Sequence, residues 1–206
     1  MVAEQERDRP REATAMARPA SPETFFAAAM GLLAGPGLPA LRIGRLCREV
    51  GVTSGSFYHH FENWDAFVGA LLEHWAGEEV DRILVLVRRE PDPVERVHLM
   101  KRLALTVPHA AETAIRRWAG TDAVVAAAQQ RVDDRRREAL REVLGPLLDD
   151  DGLVAILAEV GLSLLVGHQQ LHHSGPPVDL AAQLDQFETL VRTHAIAHFD
   201  RRVSAD

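Results

Sequence analysis

The chain has 206 residues, 47% of them apolar, and a formal net charge of −7 at pH 7. That length accommodates one or two domains with a buried core, and that apolar share excludes a disordered chain. A single cysteine, Cys47, excludes a disulfide framework and fits a reducing cytoplasm; Met1 to Arg18 lacks the apolar core of a signal peptide, and no uninterrupted apolar run reaches membrane-spanning length, so no membrane partner is expected.

Residues 1–20 alternate charges around Pro10 and Pro19 without a period and read as a flexible arm. Ser21-Pro22-Glu23-Thr24 is a helix start, with Ser21 as cap and proline in the first position. The first helix runs to about Ala34 with Phe25, Ala29, Leu32 and Leu33 inward, and Gly35-Pro36-Gly37 ends it. Ile43, Leu46, Cys47 and Val50 recur at helical spacing, and Gly51 supplies the left-handed corner that closes this second helix. Thr53 is placed to cap a third helix by accepting from its first-turn N–H groups. That helix runs to Phe61, turning Phe57 and Phe61 inward and leaving Thr53, Ser54, Ser56, Tyr58, His59 and His60 largely free.

A fourth helix is predicted from about Asn63 to Arg89, closed by Pro91-Asp92-Pro93, and a fifth over Val94–Leu105. Pro108 opens a sixth to Ala119, and Thr121 or Asp122 starts a long seventh to Leu144. Gly152 to about His173 is apolar on most faces, as a helix in a core or between subunits must be. Gly175-Pro176-Pro177 is a loop, and Leu180–Phe199 a last amphipathic helix. No strand-like alternation survives inspection, so the fold class is all-α.

Two short helices joined by a glycine turn, the second with small polar side chains outward, form a helix-turn-helix of the kind that enters a DNA groove. Gly51-Val52-Thr53-Ser54-Gly55-Ser56-Phe57-Tyr58-His59-His60-Phe61 resembles the TetR-type (tetracycline-repressor-like) family of bacterial regulators. A weaker likeness to some branches of that family covers Ala114 to Ala119, Asp122, Val132, Asp133 and Arg136. Three positions depart from the family pattern: Arg42 stands near a point often held by threonine or serine, Trp64 where a lysine is common, and Phe67 where a leucine is common.

The resemblance implies an N-terminal helix-turn-helix DNA-binding domain over 21–66 and a helical ligand-binding and dimerisation domain over 67–206. It implies a homodimer, double-stranded operator DNA as partner, and an unidentified small-molecule ligand that releases the DNA. The residues expected at DNA are Arg42, Thr53, Ser54, Gly55, Ser56, Tyr58, His59 and Trp64. Tyr58 takes the family's phosphate-contacting position, and short hydroxyl side chains on the same helix let it approach base edges. Glycine inside a helix costs roughly 1 kcal/mol against alanine, so Gly55 needs an offset: either close approach to DNA or tight packing on the second helix. Trp64 either donates to a phosphate or covers apolar surface.

Charge divides unevenly. Seven arginines against six acids give residues 1–61 a charge of +1, which leaves −8 for 62–206. Screening limits exposed charges to about 8 Å at physiological salt, so the local balance near Arg42, Arg45 and Arg48 governs attraction to phosphates, and its contribution is modest. The acidic balance also motivates an alternative, a small-molecule sensor of the same fold with weak or lost DNA binding. His168, His172 and His173 cluster and His194 and His198 stand four apart, but no H-E-x-x-H pattern exists, and surface or interface histidines are the ordinary reading. Arg135-Arg136-Arg137 after Asp133-Asp134 reads as a solvated face with intrahelical pairs. Ligand-pocket candidates are regional, from Leu99 to Trp118 and from Leu153 to Leu171. No nucleophile–base arrangement, phosphate loop, metal triad or cofactor motif appears, so an enzyme is not expected.

Overall fold

A computed structural model describes residues 20–148, 150–171 and 179–203, with the side chains of Glu78, Glu79 and residues 198–203 excepted. The proposed arm up to residue 19, the loop at Gly175-Pro176-Pro177, and His172 and His173 lie outside the described residues. Nine α-helices are described: α1 (Pro22–Ala34), α2 (Ile43–Val50), α3 (Ser54–His60), α4 (Trp64–Arg88), α5 (Pro93–Ala104), α6 (His109–Ala119), α7 (Ala123–Leu144), α8 (Asp151–Leu171) and α9 (Leu180–Val203). Two single-turn 3₁₀ segments, Leu38–Ala40 and Gly145–Leu147, were not foreseen from the sequence; each has proline in its first turn. No strand occurs among the described residues.

The helix ends follow local chemistry. Asn63 Oδ1 accepts from Ala66 N at 2.8 Å, Asp92 Oδ1 from Val94 N at 2.7 Å and Asp122 Oδ1 from Val124 N at 2.9 Å, satisfying first-turn donors of α4, α5 and α7. At α1, Thr24 Oγ1 accepts from Ser21 N and lies 3.2 Å from Ser21 Oγ. Gly51 has φ +79°, the left-handed corner expected of it, and the next N–H, that of Val52, returns to Cys47 O at 2.9 Å. Thr53 precedes α3 in extended conformation, but its hydroxyl makes no capping bond; its backbone carbonyl accepts from Ser56 N instead. The expected side-chain cap is therefore corrected, and the Thr53 hydroxyl is free to face outward.

Two apolar clusters form the interior. The first unites α1, α2, α3 and the first half of α4 with Ala111 and Ile115 of α6 and Val125, Ala128, Val132 and Ala139 of α7. The second joins the later part of α4 to α5, α8, α9 and the end of α7. At 25 residues α4 is roughly 37 Å long, enough to run through both. The first cluster crosses the expected boundary at residue 66, because α1 lies directly on α6.

A charged network binds α6, α7 and α8. Glu112 of α6 is 2% exposed and receives both terminal nitrogens of Arg136 from α7, at 3.0 and 2.5 Å. Four residues along α6, Arg116 returns the arrangement, donating to both oxygens of Asp133 at 2.8 Å. Gln169 of α8 donates to Glu112 at 2.7 Å and Gln129 donates to Asp133 at 3.1 Å. Thr113 Oγ1 closes the set by donating to Gln169 O at 3.0 Å. Arg136 is thus buried and paired across helices, which corrects the reading of Arg135–Arg137 as a solvated run. Arg135 pairs with Asp81 on α4 and Arg137 with Glu159 on α8; only Arg137–Asp134 is intrahelical. Apolar neighbours at the same helical spacing, Val125, Val132 and Ala139, carry Arg136 inward with them.

By length and composition α8 is apolar enough to cross a bilayer. Here it packs on α6, α7 and α9, with Gly161 so close to Phe187 that a Cβ there would lie 3.0 Å from the ring.

Removing one partner of a buried pair leaves an uncompensated charge, so Arg136→Ala should cost about 3–5 kcal/mol in urea unfolding, while the paired replacement Glu112→Leu with Arg136→Met should recover most of it. Burial lowers the imidazole of His109 below its ordinary value of 6.5, with Glu112 opposing. The unfolded chain takes up that proton first, so stability should fall as pH drops through the ordinary histidine range. Melting curves of the His109→Gln protein should show a smaller fall over that range than those of the parent.

Candidate nucleic-acid interface and ligand cavity

Phenylalanine holds the reading helix in place. Phe57 on the inner side of α3 is fully buried between Phe25 of α1, at 5.8 Å and edge-on, and Phe67 of α4, at 5.4 Å. Phe61 completes the cluster at 5.2 Å from Phe57 and 5.0 Å from Phe67. Such ring pairs add about 0.5–1.5 kcal/mol each beyond the area they bury. Burial of this inner side sets which side of the seven-residue α3 faces outward.

On that outer side Thr53, Ser54, Gly55 and His59 are exposed, Ser56 is half-buried, and Tyr58 is 55% exposed with its ring edge-on to Phe57. His60 is half-buried against Phe25, so of the two neighbouring histidines it is the one that packs inward. A Cβ on Gly55 would meet only Thr53 Oγ1, at 3.6 Å, an ordinary contact. Tight packing on α2 therefore does not account for this glycine.

Arg42, Arg45 and Arg48 are exposed on or beside α2. Arg45 Nε lies 3.8 Å from Glu49, an exposed i, i+4 pair of small energetic weight. Trp64, the first residue of α4, is half-buried, its ring 6.4 Å from that of Phe57 with the planes 27° apart, and 5.3 Å from Phe67. The structure gives its indole a packing position under α3.

The second site is a partly open cavity of about 90 Å³ lined by α4, α5, α7, α8 and α9. Its wall is mostly apolar, with Ile83, Met100, Val143, Leu165 and Phe187 prominent, and Lys101, Arg136 and Glu188 bring the charge. Parts of both regions singled out in the sequence, Met100–Val107 and Gly161–Leu165, reach it. The contributions of α4, α7 and α9 went unforeseen, since a wall shared among five helices has no signature in any one of them. Among the described residues no group of three histidine, cysteine or acidic side chains is placed to hold a metal; of the two histidines noted four apart, His198 has its side chain outside the described set.

The family described as bacterial regulatory proteins, tetR family, matches residues 25–71. No curated protein matches by sequence. Solved structures share the fold over nearly their whole length. A transcriptional regulator from Rhodococcus sp. Rha1 superposes with a TM-score of 0.70 at 22% identity, covering 84% of this chain and 96% of that one. A TetR transcription regulator from Haloarcula marismortui gives 0.63 at 18% identity, covering 85% and 96%. The regulator FadR from Bacillus subtilis, solved in complex with stearoyl-CoA, gives 0.64 at 14% identity, covering 84% and 98%. The segment from α1 to early α4 thus matches the tetR family of bacterial regulatory proteins, and the helices behind it share the fold of these solved regulators.

Proposed function

We propose that this chain is a ligand-responsive transcriptional regulator, acting in the cytoplasm as a repressor that binds a palindromic operator as a homodimer and releases it when a small-molecule inducer binds. The observation that carries this reading is the outward face of α3, small and hydroxyl-rich, supported from beneath by Phe57. Residues 21–66 are the DNA-binding domain in this division of labour, and 67–206 the ligand-binding and dimerisation domain. Thr53, Ser54, Ser56 and His59 read or touch the groove, Tyr58 and Arg42 meet phosphates, and Trp64 acts chiefly by bracing α3. Gly55 lets the helix backbone approach DNA, since no neighbouring helix demands the missing side chain.

Support for the dimer comes from α8 and α9, whose outer sides expose Ile156 at 62%, Val160, Leu171 at 79%, Leu190 and Ile196. An apolar stripe of this extent marks a surface for another chain, and α8 and α9 paired about a two-fold axis would make a four-helix interface. Two copies would then present α3 to successive major grooves, about 34–36 Å apart. Support for ligand control comes from the cavity. One of its wall residues, Arg136, holds Glu112 on α6, and α6 carries α1 of the reading head. A ligand that binds one arrangement of these helices better than another shifts the population between them. The stearoyl-CoA held by the Bacillus subtilis neighbour is in keeping with ligand capture by this fold.

The alternative, a sensor of the same fold with weak or lost DNA binding, draws on the net charge of −7 and on Trp64 turned to the core where a cationic side chain is common. Gel-shift titration against the DNA upstream of the gene decides between them. The repressor reading expects affinity at least about a thousandfold above random DNA, and equal affinity for both refutes it. Tyr58→Phe should weaken binding to all sequences alike, by roughly fivefold for one lost phosphate hydrogen bond. Gly55→Ala should raise the melting temperature, through about 1 kcal/mol of helix propensity, while lowering operator affinity. Ile156→Glu should convert the dimer to monomer in sedimentation velocity and abolish tight operator binding.

A further inference from the structure

We infer that the cavity among α4, α5, α7, α8 and α9 takes a small, uncharged, apolar molecule about the size of one aromatic ring, an inference that rests on the ligand-responsive reading above. Volume sets the first limit. The cavity measures about 90 Å³, while an engineered cavity of about 150 Å³ lined by Leu, Ile and Phe binds benzene. A single ring fits once Met100 shifts, and methionine, unbranched with three rotatable bonds, yields readily. A long acyl chain needs several times that space.

Charge sets the second limit. Three charged side chains reach the wall, and each is already engaged. Lys101 Nζ donates to Asp185 at 2.7 Å and to Glu188 at 2.6 Å, and these bonds hold its ammonium above the usual lysine range. Glu188 also has His98 Nδ1 within 3.4 Å of both its oxygens. Burial alone would raise the Glu188 carboxyl, yet the bonds from Lys101 and His98 hold it below its usual value, so it stays ionised. Arg136 is forked onto Glu112.

Counting partners, Lys101 and Arg136 balance Glu188 and Glu112, and the remaining carboxylate, Asp185, is exposed and screened. An incoming carboxylate or ammonium finds no unmatched charge, and it must either stay unpaired in an apolar space or displace a pair that is itself buried. Among the described residues, the buried polar atoms that lack a hydrogen-bond partner belong to side chains outside this wall. For a ligand hydroxyl or amide the wall side chains offer only the third N–H of Lys101 and spare lone pairs of Glu188, both beside groups already engaged, so most of its desolvation goes uncompensated.

Three probes that share one ring and differ in charge test the inference on the full chain: toluene, benzoate and benzylammonium. Toluene at ten times its Kd should raise the melting temperature by about 3–6 °C, with a calorimetric Kd at least about tenfold tighter than that of either charged probe. Ala139→Leu and Ala104→Leu each place a larger side chain into the cavity from opposite helices, and each should abolish the toluene shift. Benzoate or benzylammonium binding as tightly as toluene overturns the inference, as does a toluene shift that survives a folded cavity-filling variant, or no shift with any probe. Operator affinity measured in parallel separates the outcomes: a protein that holds its operator but takes up none of these probes has lost the ligand class and kept the regulator reading. Should a cavity-filling variant fail to fold, the comparison among the three probes on the parent chain still decides.

Discussion

Two arginine–carboxylate forks fix α6 against α7, and the first helix of the reading head rests on α6. Each helix contributes one acid and one base, so neither fork can slide without breaking the other. Buried ion pairs add little net stability over well-packed apolar side chains, because desolvation consumes most of the Coulombic gain. Their contribution here is register. A helix turn of error would leave Glu112, at 2% exposure, without its partner, and that penalty excludes alternative packings of α6.

The head depends on a different force. Five of the seven phenylalanines lie between residues 25 and 67, and their rings close around α3 from one side. Apolar contact on the inner side leaves the outer side free of structural duty, which is why small hydroxyl side chains and a glycine are tolerated there. The two systems meet in a shared core, since Ala111 and Ile115 of the clamped helix are packed in the same cluster as Phe25. The clamped helix and the head therefore share one apolar core, without an intervening linker.

Much of this was legible in the sequence, because the signals were local. Gly51, Asn63, Asp92 and Asp122 mark helix ends by their own backbone and side-chain chemistry, and the observed boundaries fall within one or two residues of those expected. The inward set Phe57 and Phe61 followed from spacing alone. Thr53 failed as a cap because its backbone carbonyl, not its hydroxyl, serves the first turn of α3. At Arg136, position outweighs charge. It stands on the same stripe as Val125, Val132 and Ala139, and an arginine on an apolar stripe must find a partner inside. That partner, Glu112, lies 24 residues away on another helix, a distance no helical period spans.

The single lysine of the chain has an unexpected corollary. Lys101 is bridged to two carboxylates beside the cavity, its side chain only 14% exposed, so every other basic side chain is arginine or histidine. Enzymatic acylation of lysine, which many DNA-binding proteins use to trim their positive charge, has no purchase on the reading head. For the same reason, amine-directed reagents have, besides the chain's α-amino group, one side chain to label, and its labelling would report on the accessibility of the cavity edge.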